Sequence, residues 1–297
     1  MINKILTLLI LTTILSIKTY AQSVDFMFGV SSSHFLGDLG GKPFIGTNDF
    51  QDLDILSTRY AVTTGLRFNF SKYFALRTNI WYARVSANDK YTSNRERKGR
   101  NLNFYSNVFE GDVTAEINLY NSRNKKGMWY LFGGVGYFTF NPKTRLNGNV
   151  YELRDYGTEG QFAVAGKEPY KLSSLCFPHG IGYKWAVGRG QYFSMELNLR
   201  KTTTDYIDDV STNYVDQSLL IAAKGPDAAA LADRNISDIP GFSSPGAIRG
   251  DPKNNDTFFF ICFAYNVTLG KGKKGSDFGN MRRGRGRVNG KQKCLQF

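Results

Sequence analysis

Residues 58–86 read TRYAVTTGLRFNFSKYFALRTNIWYARVS, and their alternation decides the fold. In an extended chain Tyr60, Val62, Thr64, Leu66, Phe68 and Phe70 share one face, and Arg59, Ala61, Thr63, Gly65, Arg67 and Asn69 share the other. After Ser71 and Lys72, a second run sets Phe74, Leu76, Thr78, Ile80 and Tyr82 against Ala75, Arg77, Asn79, Trp81 and Ala83. Period-2 alternation of this length predicts two antiparallel strands joined by a tight turn.

Six further segments behave in the same way. Val24, Phe26, Phe28 and Val30 alternate near the start, and Phe109, Val113, Ala115, Ile117 and Leu119 alternate against Glu110, Asp112, Thr114, Glu116 and Asn118. Residues 128–140 and 172–185 are aromatic and glycine-rich, and their phase is open. Phe193, Met195, Leu197 and Leu199 alternate against Ser194, Glu196, Asn198 and Arg200, and Phe259 to Leu269 forms the last run. The stretch 102–105 is in opposite phase to 109–119, which predicts a bulge near Ser106 and Asn107. Joined in order, the eight strands have long links at 36–57, 87–101, 141–171 and 203–256, and short ones at 71–72, 121–127 and 187–191.

Sorted loop lengths and strands of about 10 residues or more are the pattern of an outer-membrane barrel, with short periplasmic turns and long outer loops. The apolar face then meets lipid and the polar face points inward. Lipid cannot satisfy an open sheet edge, so the sheet must close. Tyr60 and Tyr82 would lie at the outer interface, and Phe68, Phe70 and Phe74 at the inner one. The expected fold is thus all-β, an eight-stranded antiparallel transmembrane barrel. Eight strands leave a lumen filled by side chains. Its expected ion-pair network is Arg59, Arg67, Arg77 and Arg200 against Glu110, Asp112, Glu116 and Glu196.

The ends read differently. Lys4, the apolar run Ile5 to Ile17 and the small-x-small site ending at Ala21 predict a cleaved secretory signal at 1–21. The barrel then occupies 22–270. Residues 271–297 form a basic tail with nine Lys or Arg against one Asp, a large share of the formal charge of +13. By the strand count this tail is periplasmic. Lys273, Lys274, Arg282, Arg283, Arg285 and Arg287 are the residues expected to contact an acidic partner or anionic headgroups. Nucleic acid is excluded by the compartment.

Chemistry-bearing patterns are sparse. His34, beside Ser31, Ser32 and Ser33, is the only candidate base for a hydrolase. Asp205, Asp208, Asp209 and Asp216 cluster in the last outer loop, but their spacing fits no known calcium loop, which favours solvated or capping roles. Cys176 and Cys262 fall on inner faces with a strand between them, too far apart to bridge, while Cys294 lies in the tail. No cofactor, metal site or enzyme activity is expected.

Several stretches resemble a known family: Phe35-Leu-Gly-Asp-Leu-Gly-Gly41, Arg100-Asn-Leu-Asn-Phe104, Tyr130-Leu-Phe-Gly-Gly-Val-Gly136, Phe140-Asn-Pro-Lys143, Gly157-Thr-Glu-Gly-Gln161 and Arg200 to Val210. In order and spacing they resemble PorG, the outer-membrane barrel of the type IX secretion and gliding machinery of Bacteroidetes. The resemblance implies a non-enzymatic role, tying a periplasmic ring of PorK and PorN to the outer membrane. The insertion at 217–255 and the basic tail depart from that pattern. Two rival expectations remain: an adhesin-like barrel binding ligands through loops 141–171 and 203–256, and an outer-membrane lipid hydrolase.

Overall fold

The computed structural model describes residues 21–40, 55–92, 94–119 and 127–269. The signal segment and the tail, with Lys273, Lys274, Arg282, Arg283, Arg285, Arg287 and Cys294, lie outside the described residues.

Eight long strands form the wall: β1 Ser23–Leu36, β2 Arg59–Asn69, β3 Phe74–Asn88, β4 Asn103–Leu119, β5 Gly127–Thr139, β8 Ser173–Gly188, β9 Gln191–Thr202 and β10 Thr257–Leu269. Each pairs antiparallel with its neighbour, and β1 pairs with β10 from Val24↔Leu269 to Leu36↔Thr257. The sheet has no open edge between its first and last wall strands, so it is a closed eight-stranded antiparallel barrel of outer-membrane type. A short hairpin, β6 Pro142–Leu146 and β7 Asn149–Glu152, extends β4 past the wall by pairing Tyr105 with Lys143. Among the described residues no helix is long and apolar enough to cross a membrane.

The strands sort their side chains by lipid and lumen. Phe28, Val30, Ile80, Val113, Val135 and Phe263 point outward and are all exposed, while Thr63, Arg77, Thr114 and Ser194 on the opposite face are buried. An exposed apolar belt around a closed sheet is an aggregation hazard in water and a matched surface in hydrocarbon. Rings gather at the short-turn end of this belt, where Trp129 meets Tyr183 at 4.9 Å and Phe193 meets Phe263 at 5.1 Å. Phe70 and Phe74, 6.0 Å apart, lie at that end too. Phe68 departs from its face and is 1% exposed.

The turns explain their own length. Between β2 and β3 the Ser71 hydroxyl accepts from the Tyr73 and Phe74 amides at 3.1 and 3.0 Å, closing the chain in a few residues. Between β8 and β9 the reversal uses Gly190 at φ +63°, a left-handed conformation that costs glycine little.

The expected bulge at Ser106 and Asn107 does not exist. β4 pairs with β3 without a break from Phe74↔Ile117 to Asn88↔Asn103, so Phe104, Ser106 and Val108 all point inward with Glu110. The apparent change of phase is a change in lumen composition. Toward the long-loop end the lumen is filled by Phe104, Val108, Phe138, Phe140, Phe258 and Phe260. An apolar side chain therefore does not mark the lipid face at that end.

Candidate functional site

The lumen carries the densest polar chemistry of the described residues. In its lower tier Arg67 donates from Nε to Glu116 at 3.0 Å and from Nη1 to Asn266 at 2.9 Å. Its Nη1 also donates to the Tyr192 hydroxyl, which passes a hydrogen bond to Asp25 at 2.6 Å. Arg77 donates to Glu196 at 2.5 Å, and the Tyr130 hydroxyl donates to the same carboxylate oxygen at 2.5 Å. Lys184 donates to Glu116 and, at 2.9 Å, to Asn118. Every wall strand contributes: Asp25 from β1, Arg67 from β2, Arg77 from β3, Glu116 from β4, Tyr130 from β5, Lys184 from β8, Glu196 from β9 and Asn266 from β10.

Glycine makes room for this crowding. A Cβ on Gly182 would stand 2.3 Å from the Tyr130 ring, so the phenol can cross the lumen only over glycine. A second tier lies above. Arg200 pairs with Glu110 at 3.1 Å and lies 4.5 Å from the Trp81 ring and 4.1 Å from that of Phe260. Asp112 accepts from Asn79 at 2.7 Å and from the Trp81 indole at 2.8 Å. Buried charges held in this way are costly to strip of one partner.

Of the residues read from sequence, the structure brings Arg67, Arg77, Arg200, Glu110, Asp112, Glu116 and Glu196 together in the lumen, all buried. Arg59 is not among them. Its position has lumen phase, but it is the first residue of β2 at the rim, and its exposed guanidinium turns back to the Thr58 carbonyl at 2.8 Å. Lys184 takes the fourth cationic place. Its strand contains Gly180 and Gly182, which blank out alternate positions and hid the phase of residues 172–185. Asp25, Tyr130, Tyr192 and Asn266 were missed as well, because each looks like an ordinary strand residue until the barrel closes.

Above the lumen the long loops fold into a cap. Arg249 Nη1 donates to Glu159 at 2.9 Å, and Glu159 also accepts from the Ser211 and Thr212 amides at 2.9 and 3.0 Å. Thr158 and Tyr170 donate to Asp209 at 2.5 and 2.6 Å. Burial pushes the Asp209 carboxyl up to about 6, with Arg249 and these donors opposing. Arg100 pairs with Asp89 at 2.8 Å and donates to the Asp38 carbonyl at 2.6 Å. The stretches 35–40, 100–104, 157–161 and 200–210 thus meet in one place. The last-loop acids divide: Asp216 is exposed and caps the helix α1, Gln217–Lys224, by accepting from the Ser218 amide at 2.8 Å, while Asp205, Asp208 and Asp209 are buried. A solvated role holds only for Asp216.

The candidate hydrolase residues are also placed. His34 Nε2 lies 2.9 Å from the Ser32 hydroxyl and Nδ1 lies 3.3 Å from that of Thr58, with the ring stacked on Phe259 at 4.6 Å. A hydroxyl stands where a triad needs an orienting acid. Cys176 and Cys262 are free and buried. Cys176 lies opposite Thr202 and Cys262 opposite Glu196, six residues along β9. That offset puts them about 20 Å apart, further than the strand between them alone requires.

A family described as a domain of unknown function, DUF6089, matches residues 3–220. The chain belongs to the DUF6089 family. The match ends inside α1, so β10, which closes the barrel, lies beyond it. A comparison with curated proteins finds no match. Among solved structures the chain is similar to Ail of Yersinia pestis, at 7% identity over 83% of this chain and 98% of that one, TM-score 0.38. Neisserial surface protein A is similar at 8% identity over 82% and 97%, TM-score 0.36. The N-terminal barrel domain of Pseudomonas aeruginosa OprF is similar at 6% over 84% and 99%, TM-score 0.35.

Proposed function

We propose that this DUF6089 protein is a non-enzymatic anchor in the outer membrane, a structural part of a type IX secretion and gliding machine. Its short-turn end and basic tail would face the periplasm and dock to ring proteins of the PorK and PorN kind. The observation that carries this reading is the lumen network: buried ion pairs and hydrogen bonds link side chains of all eight wall strands and fill the lumen, as expected of a barrel of this size. A plugged barrel offers only its two ends for function. The resemblance to PorG supplies the machine, and the basic tail supplies a contact of suitable charge.

Deleting 271–297 tests it. The truncated chain should still insert in the outer membrane, and periplasmic ring proteins should co-purify with it less. Undiminished co-purification would remove the tail from the contact.

A second reading, loop-mediated binding outside the cell, draws on the cap. Ile236 and Ile248 are exposed there at 69% and 79%. Surface proteolysis of residues 203–256 should then abolish ligand binding and leave secretion of other proteins intact.

A further inference from the structure

Charge is distributed very unevenly across the wall. On the eight wall strands the outward positions carry no carboxylate, while the lumen side holds Asp25, Glu110, Asp112, Glu116 and Glu196. Outward charge is confined to Arg84 on β3 and Lys201 on β9, both cations and both toward the long-loop end. In the strand order β3 and β9 stand on opposite sides of the closed barrel. A charge facing hydrocarbon is expensive, so the depth of these two side chains matters.

Register gives that depth. Tyr82 is exposed on the outward face, paired with Val62 on one side and Phe109 on the other. The next outward pair toward the loops is Arg84 and Asn107. Two residues of a tilted strand rise about 5 Å along the membrane normal. The apolar run of β3 and β4 therefore ends on two rings, and Arg84 stands just beyond them, where hydrocarbon gives way to headgroups. Lys201 follows Leu199 in the same phase and lies between Phe177 and Thr257, the first residue of β10.

The Arg84 guanidinium is held in place. Its Nε donates to the Asn107 side-chain oxygen at 2.8 Å, and the group lies 4.9 Å from the Tyr105 ring. Among the described residues it meets no carboxylate, and its two Nη nitrogens make no hydrogen bond. A guanidinium presents a planar fork of donors that fits two oxygens of a phosphate. Asn107 and Tyr105 fix that fork in advance, so less side-chain freedom is lost on binding.

We propose that Arg84 is the centre of a phosphate-binding site for the glycolipid of the outer leaflet, with Asn107 and Tyr105 as positioning residues and Lys201 as a weaker contact on the opposite side. The inference rests on the reading of the chain as an outer-membrane anchor and names what the anchor grips on that side. The outer leaflet of such a membrane consists of acylated disaccharides that carry phosphates at headgroup height. Arg84 matches such a phosphate in charge and in geometry, and Lys201, a flexible point charge, in charge alone. No outward carboxylate on the wall strands opposes either contact.

The test uses the mature full-length chain in neutral detergent, washed free of copurified lipid. It is titrated with diphosphoryl lipid A, with the dephosphorylated form and with inorganic phosphate, and bound molecules are counted by native mass spectrometry. The proposal expects saturable binding of the diphosphoryl form, weaker binding of the dephosphorylated form and none of inorganic phosphate at matched concentration. Arg84→Gln should weaken lipid A binding about tenfold, the size of a lost hydrogen bond to a charged group. Arg84→Lys keeps the charge without the fork and should fall between. Lys201→Gln should cost about threefold or less. Arg95→Gln, exposed on the cap beside Asp238, should bind as the parent does. Heat-modifiable migration in gels checks that each variant is still a closed barrel. Equal binding of the two lipid A forms, parent-like binding by Arg84→Gln, or inorganic phosphate binding as tightly as the lipid would overturn the site. Any of these beside strong quenching of Trp129 by brominated lipid would leave the membrane placement standing, whereas loss of that quenching would remove the placement and the site together.

Discussion

The lower lumen and the mouth of the cap solve the same problem in opposite ways. Both bury carboxylates away from solvent. In the lumen each acid has a cation or several donors: Glu116 faces Arg67, Arg77 and Lys184, and Glu196 faces Arg77 and Tyr130. At the cap Asp205 and Asp256 have open oxygens and no cation. The difference teaches where rigidity and adjustability lie. A satisfied network holds one geometry, and an incomplete one waits for a proton.

The sharpest way to break the comparison is to spoil the satisfied side. Glu116→Leu leaves Arg67 and Lys184 buried without their shared partner. It should cost about 3–5 kcal/mol, as stripping one member of a buried pair does. Refolding yield into detergent in a urea series would show the loss. Next in size is Tyr130→Phe. It keeps the ring and removes the hydroxyl that Glu196 accepts from at 2.5 Å, so a loss of about 1–3 kcal/mol is expected in the same assay.

The cap should respond to pH with the sign of an unpaired acid. The value near 9 for Asp205 in the folded cap lies above its unfolded value of 3.8, so the folded state holds the extra proton. The resulting stabilisation is complete below the ordinary carboxylate range and fades as pH rises toward 9. Protease resistance of residues 203–256 should therefore fall between pH 4 and pH 9, and Asp205→Asn should flatten that profile. The smallest effect belongs to Arg59→Ala. Its guanidinium is exposed at the rim, so stability should change by less than about 0.5 kcal/mol. A large loss there would return Arg59 to the network.

Much of this was legible in residues 58–86 and in the loop lengths, because lipid and lumen impose a strict period of two on each strand. Seven of the lumen charges follow from that period alone. Arg59 shows its limit: phase fixes the face of a residue but not its depth, and only depth separates the rim from the plug. Lys184 shows another limit, since Gly180 and Gly182 erase the contrast on which phase depends. Phe104 and Val108 misled because the lumen turns apolar toward the loops. Asp256 was invisible as a cap acid, for its contact with the Ile207 amide depends on how β9 and β10 line up at the mouth.

The central claim is that the outward face touches hydrocarbon and the inward face does not. The chain carries its own probes: Trp129 points outward at 53% exposure, and Trp81 points inward at 0%. Two single-tryptophan variants, one keeping Trp129 and one keeping Trp81 with the others changed to Phe, can be placed in bilayers of brominated lipid. Lipid contact predicts strong bromine quenching of Trp129 and little of Trp81. Equal protection of both from bromine, with Trp129 quenched by aqueous iodide instead, would contradict the barrel's place in the membrane.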